Sequence, residues 1–126
     1  MRDVDIGYLA GIIEGEGSIY FCTKLKRPRI RISNTNIEIL NKCIQILRDF
    51  GIDAKLRQQR QGNEKWKIGY SVDIDKLKDL EKILIIIKPE LSGKKKQADV
   101  ALNYFNKKIS VEEATLLTKE LNKKGR

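Results

Sequence analysis

Glu14 and Glu16, separated by one glycine and followed by another, are the residues of this chain best placed to do chemistry. Two carboxylates at the end of an apolar segment supply oxygen donors of the kind that hard divalent cations take. The plain alternative is a pair of solvated acids. Acids at a helix C-terminus are mildly unfavourable, so the pattern asks for a reason. What precedes the acids offers one. Gly7, Gly11 and Gly15 recur every four residues with Ala10 beside them, which places small side chains on one face of a helix. Each interior glycine costs ~1 kcal/mol relative to alanine. A stripe of small residues lets two backbones approach closely, so the spacing predicts a tight helix-on-helix contact. It also predicts that Glu16 is held on a bend between Gly15 and Gly17.

Composition is compatible with a polyanionic partner. The chain has 126 residues, 26 Lys and Arg against 17 Asp and Glu, and a formal charge of +9. A small basic chain of this kind suits nucleic acid, although a lysine-rich solvated surface is the plain reading of the same charge. The length fits one domain spanning residues 1–126. There is no histidine, which excludes histidine-metal nucleases, histidine general bases and Cys/His zinc sites. Cys22 and Cys43 form no CxxC pair and read as reduced thiols. The run Ile83 to Ile87 is too short to span a membrane, so an intracellular location is expected, cytoplasmic or organellar.

Periodicity sets out the elements. A helix is expected over 5–14, with Asp3 or Asp5 near its start. A strand follows over 18–26, then a turn at Arg27-Pro28 and a strand over 29–33. In that hairpin Ile19, Phe21, Leu25, Ile30 and Ile32 would share an apolar face. Ser18, Tyr20, Cys22, Lys24, Lys26, Arg29, Arg31 and Ser33 would share the polar, largely cationic one. Asn34 or Asn36 caps a helix carrying Ile37, Leu40, Ile44, Leu47 and Phe50, which stops at Gly51. A second hairpin would turn at Gly62-Asn63. Its polar side carries Lys55, Arg57, Gln59, Lys65 and Lys67. A helix over 76–87, capped by Asp75, points Leu77, Leu80, Ile83, Leu84 and Ile87 inward and ends before Pro89. Another follows the Lys94-Lys95-Lys96 run to about Lys107. A capping box at Ser110 opens a short last helix with Leu117 and Leu121.

The stretch Leu9-Ala10-Gly11-Ile12-Ile13-Glu14-Gly15-Glu16-Gly17 resembles the LAGLIDADG motif of homing endonucleases. Ile12 stands for Leu, Glu14 and Glu16 for the two Asp, and Gly15 for Ala. The element order, written α-β-β-α-β-β-α-α with β-β-α occurring twice, is similar to that family's fold: α+β, with a curved antiparallel DNA-binding sheet backed by helices. The resemblance implies a sequence-specific double-strand DNA endonuclease. A chain with one motif would act as a homodimer on a pseudo-palindromic site, meeting its partner through Gly7, Ala10, Gly11 and Glu14. It implies Mg2+, with Mn2+ as a substitute, held at Glu16 and Gly15. Glu16, Asn34 and Lys94 would be the catalytic residues, Lys94 being placed by counting back from Lys96-Gln97-Ala98. The sheet residues from Ser18 to Lys67 named above would contact DNA, where Arg can read guanine and Gln adenine. The same fold without cleavage would serve as a DNA-binding repressor or an intron-RNA-binding maturase.

Overall fold

In a computed structural model, residues 2–59 and 69–124 are described. The chain forms α1 (Asp3–Glu16), β1 (Gly17–Cys22), β2 (Arg27–Asn34), α2 (Ile37–Asp49), β3 (Lys55–Gln59), β4 (Gly69–Ile74) and α3 (Leu77–Ile87). A single 3-10 turn (Lys88–Glu90) leads to α4 (Lys95–Phe105) and α5 (Val111–Lys124). The four strands make one antiparallel sheet in the order β1-β2-β4-β3, so each hairpin supplies half and the two meet along β2 and β4. This is the expected α+β architecture. Chain closure by three α-helices, the last of them 14 residues long, goes beyond the two-helix shorthand and the short last helix.

The strand alternation holds in three dimensions. Ile19 pairs with Ile30 and Ile30 with Ile74, while Ile32 lies opposite Val72. All five are buried, together with Phe21, in a core completed by Leu9 and Ile13 of α1, Leu40 and Leu47 of α2, and Leu80, Ile83 and Leu84 of α3. The helices therefore cover one face of the sheet and leave the polar face outward. α5 flanks the sheet edge along β1 and packs on α4.

Several boundaries differ from the periodicity reading, each for a physical reason. The first turn occupies residues 23–26, with Lys26 at φ 51° and its N–H on the Cys22 carbonyl at 2.8 Å. Arg27 and Pro28 are consequently in β2. Pro28 is tolerated because it pairs only with Phe21, beyond the end of the β4 ladder at Ile30, where a missing N–H costs little. Leu25, in that turn, is exposed rather than on the apolar face, and Leu77 and Leu117 are also largely exposed. Asn36, not Asn34, caps α2 by accepting the Glu38 N–H at 3.0 Å. Gly51, at φ 77°, closes that helix. Its N–H reaches the Arg48 carbonyl and that of Ile52 reaches Leu47, the paired bonding that favours a left-handed glycine. Asp75 does not cap α3, whose N-cap is Lys76. Ser110 caps α5 as expected, through the Glu113 N–H at 3.1 Å. The expected Gly62-Asn63 turn lies outside the described residues.

Candidate active site and nucleic-acid interface

α1 runs into β1 with no connecting loop. Glu16 is the last helical residue, not a bend residue, and Gly17 opens the strand while its N–H bonds the Ile13 carbonyl. A Cβ at Gly17 would fall 2.8 Å from the Ile13 Cα and 2.9 Å from its carbonyl oxygen, so glycine is required for this direct passage. Glu16 is exposed. Its carboxylate accepts a hydrogen bond from the Asn34 amide at the end of β2. The Asn34 oxygen in turn accepts the Asn36 N–H at 2.8 Å, which fixes the orientation of the amide. Two residues separated by 18 positions, both singled out from sequence, thus meet. Glu16 also acts on its surroundings. With burial as the larger cause, it helps push the Cys43 thiol up to about 11, and together with Cys43 it helps raise Tyr8.

Beside Glu16, α1 and the start of α4 cap one another. The Glu14 carboxylate accepts the main-chain N–H groups of Ser92, Gly93 and Lys94 at 2.8, 3.0 and 3.0 Å. The Lys94 ammonium donates to the carbonyls of Ile13 and Glu14 at 2.9 and 2.7 Å. Each end thereby satisfies groups that a helix terminus leaves open, and each charge has the sign its helix dipole favours. Partial burial alone would raise the Glu14 carboxyl, but the three N–H donors and Lys94 hold it below the usual carboxylate range. Burial pushes the Lys94 amine down, opposed by Glu14. Lys95 and Lys96 are exposed, so Lys94 is the lysine of that run set against α1.

This clamp forms one wall of a cleft of about 650 Å³ lined also by Ser18, Tyr20, Arg31, Gln97 and Asn122. Gln97 is 4 % exposed. Its amide donates to Asn122 at 3.3 Å, and Asn122 donates to the Ile19 carbonyl at 3.2 Å. The Gln97 carbonyl oxygen has no hydrogen-bond partner among the described residues. Neither Gln97 nor Asn122 was among the expected site residues. The usable signal for Gln97 was its position three residues after Lys94, on the same side of α4.

The outward face of the sheet carries the basic residues in register. Ser18 lies opposite Arg31, Tyr20 opposite Arg29 and Cys22 opposite Arg27. Ser33 pairs with Ser71, Arg57 with Ser71, and Lys55 with Asp73. Lys55 and Arg57 therefore share the face of Arg29 and Arg31, as expected. Lys24 and Lys26 are exposed in the first turn. Gln59 pairs with Gly69 at the end of β3; its side chain, with Lys65 and Lys67, lies outside the described residues. Two acids within this face were not anticipated. Asp73 accepts from Arg31 Nε at 2.7 Å and lies 3.3 Å from Arg57 Nε, with its own side chain 1 % exposed. Asp75 accepts from Arg29 Nε at 2.7 Å, and that bond holds its carboxyl below the usual range.

On the opposite side of α1, a Cβ at Gly7, Gly11 or Gly15 would meet no atom of the chain within 4 Å. The three glycines are exposed. Ala10 is a correction to the expected stripe. It is 2 % exposed and turned into the protomer's own core, because it falls on the Leu9–Ile13 side of the helix. The contacts of Glu14 described above are likewise with its own chain.

A direct helix-to-strand passage ending in an exposed acid, repeated β-β-α units and a sheet with a basic outer face define a recognisable class. The LAGLIDADG-like domain pattern matches residues 3–88, and the chain belongs to that family. The fold is that of solved homing endonucleases. A structure of the homing endonuclease I-CvuI in complex with the I-CreI target in 2 mM Mg, its DNA not cleaved, superposes with a TM-score of 0.65. It shares 16 % identity and covers 97 % of this chain and 75 % of that one. I-CvuI in complex with its own target, Sro1.3, in 2 mM Ca gives 0.65 at 20 % identity, covering 94 % and 80 %. The group I intron-encoded homing endonuclease I-CeuI complexed with DNA gives 0.57 at 16 % identity, covering 84 % and 57 %. No curated protein matches the chain in sequence. Among the described residues, no helix is long and apolar enough to cross a membrane.

Proposed function

We propose that this chain is a homodimeric, Mg2+-dependent endonuclease that cuts both strands of duplex DNA at a specific pseudo-palindromic site, acting inside the cell as a homing endonuclease. The observation that carries the reading is the place of Glu16. It is exposed at the end of α1, held by Asn34, and one step from an uncovered glycine face. A second copy joined through that face about a two-fold axis brings a second Glu16 to the same end of the helix pair.

The donor set fits a hard cation in such an assembly and not in an isolated chain. Among the described residues no three acidic, cysteine or histidine side chains gather in one place. Glu16 and the Gly15 carbonyl are oxygen donors of the type Mg2+ takes, and Mg2+ keeps several waters or substrate oxygens besides. Mn2+ prefers the same ligands and would substitute. A cation bound there supplies charge neutralisation and water activation for phosphodiester hydrolysis. Asn34 orients the Glu16 carboxylate. Lys94, through its bonds to the Ile13 and Glu14 carbonyls, fixes the end of α1 that carries it. The basic sheet face binds the duplex, with phosphate contacts setting position and base contacts setting sequence.

The deciding experiment compares wild type with Glu16→Gln on a plasmid library of random sites, with and without Mg2+, alongside gel-shift affinity for recovered sites. The substitution keeps size and removes the charge. It should abolish scission and leave DNA affinity equal or slightly higher. Undiminished cutting by Glu16→Gln would remove Glu16 from the metal site. Binding without scission by the wild type in Mg2+ would favour the repressor or maturase role.

A further inference from the structure

On the outer face of the sheet, three arginines from both hairpins turn the same atom inward. Arg29 Nε donates to Asp75, Arg31 Nε donates to Asp73, and Arg57 Nε lies 3.3 Å from the second oxygen of Asp73. Arg31 also places Nη2 at 3.4 Å from Asp73. A guanidinium has two edges able to make paired hydrogen bonds: the side edge with Nε, and the end edge formed by its two Nη groups. Here the side edge of each arginine faces a carboxylate fixed on β4 or just after it. What remains for a ligand is the end edge, most open on Arg57 and Arg31, whose side chains are 52 % and 37 % exposed, and least on Arg29 at 15 %.

We infer that Asp73 and Asp75 are specificity-determining positioning residues, which hold Arg29, Arg31 and Arg57 end-on so that they read guanine O6 and N7 in the major groove. This deepens the proposed function and rests on it: the target class becomes a site with guanines at symmetric positions beneath the two sheets. A flexible arginine can meet a phosphate or a base in many rotamers. One whose Nε is already bonded has fewer, and less order is lost when a base docks. Asp73 is suited to the task because it is buried and shared between two arginines, one on each neighbouring strand. A carboxylate serving only to lower the positive charge would not need burial between two Nε atoms. The face remains cationic, since three arginines and Lys55 outnumber two acids.

A simple charge role and a positioning role are separated by what Asp73→Asn does to guanine preference. Removing a negative charge from a DNA-binding face should tighten binding to every duplex. Removing the pin should erase guanine preference. The test is selection from a random duplex library with sequencing, for wild type, Asp73→Asn and Asp75→Asn, each checked for unaltered thermal unfolding. The wild type should recover sites with guanine at symmetric positions, each discriminated against adenine by about 5- to 150-fold. Asp73→Asn should lose most of that preference at two guanines per half-site, with non-specific affinity unchanged or higher. Should Asp73→Asn fail to fold, Asp75→Asn decides, because it releases Arg29 and leaves every arginine in place. It should lose preference at one guanine per half-site. Guanine preference retained by the folded variants would overturn the inference while leaving DNA recognition intact. A wild type that recovers no preferred duplex would overturn the proposed function and with it the inference.

Discussion

Replacing Gly11 by alanine should make the isolated protomer more stable and the dimer weaker, and the opposite signs make this the sharpest test of the glycine face. The protomer gains because nothing within 4 Å would meet the new Cβ. Alanine is then worth ~1 kcal/mol of helix propensity over glycine with no packing penalty. The dimer loses because the methyl enters an interface built on close approach. Over-packing costs ~1–3 kcal/mol per site, and two-fold symmetry introduces each methyl twice. The sum is ~2–6 kcal/mol, so the dissociation constant should rise by about 30-fold or more, at 1.4 kcal/mol per tenfold. Gly11→Leu should separate the chains outright. Sedimentation equilibrium across a concentration series measures the first quantity, and urea unfolding of the dilute protein measures the second. If Gly11→Ala raises stability and leaves self-association untouched, the glycines do not serve a helix contact. A wild type that stays monomeric at micromolar concentration refutes the shared-site reasoning altogether.

Two further outcomes follow from the charges. Glu14 has a folded-state pKa below its ordinary value of 4.5. The stability it contributes is therefore fully present above that pH and is lost as pH falls through the depressed folded value. Glu14→Gln should cost ~1.5–3 kcal/mol near neutrality, the order of one charge-assisted hydrogen bond for a partly exposed group. It should also flatten the acid limb of a urea-midpoint against pH curve; an unchanged limb would mean that the cap is not bearing load. DNA affinity should fall steeply with salt. A dimer with several phosphate contacts per subunit gives a slope of about −6 or beyond in log affinity against log salt, at ~−0.9 per neutralised phosphate. A slope near −2 would make the basic faces ordinary solvated surface.

The elements were legible in the sequence wherever one side of an element is apolar. Ile30 and Ile32 against Arg29 and Arg31 fix the inward and outward faces of β2, and the Leu40, Ile44 and Leu47 series fixes the face of α2. Local punctuation was less reliable. Arg27-Pro28 reads as a turn because proline ends most strands, yet here the strand simply extends past the edge of its neighbour. Asp75 reads as a cap by position, although a guanidinium 46 residues away competes for it and wins. The contacts that organise the site are of this second sort. Glu14 and Lys94 are separated by 80 positions, and Arg31 and Asp73 by 42. No periodicity relates such pairs, so only the fold could reveal that an acid near the motif caps another helix and that two acids lie among the arginines.

That division bears on what the motif itself can do. Of its two acids, Glu14 spends its carboxylate on three main-chain N–H groups and the charge of Lys94. It has little left to offer a metal. Glu16 keeps a solvent-facing carboxylate that accepts a hydrogen bond from Asn34. One carboxylate cannot furnish the oxygen shell of a small divalent cation. The remaining oxygens must come from beyond the protomer, from a second copy, from phosphates or from water. An incomplete site on an uncovered helix face, beside a basic sheet, is what a chain would carry if its chemistry were assembled only when two copies sit on DNA. Cleavage confined to the assembled complex would then follow from where the donors lie, because a free protomer brings one such carboxylate while the second carboxylate and the phosphate oxygens arrive only with the partner copy and the DNA.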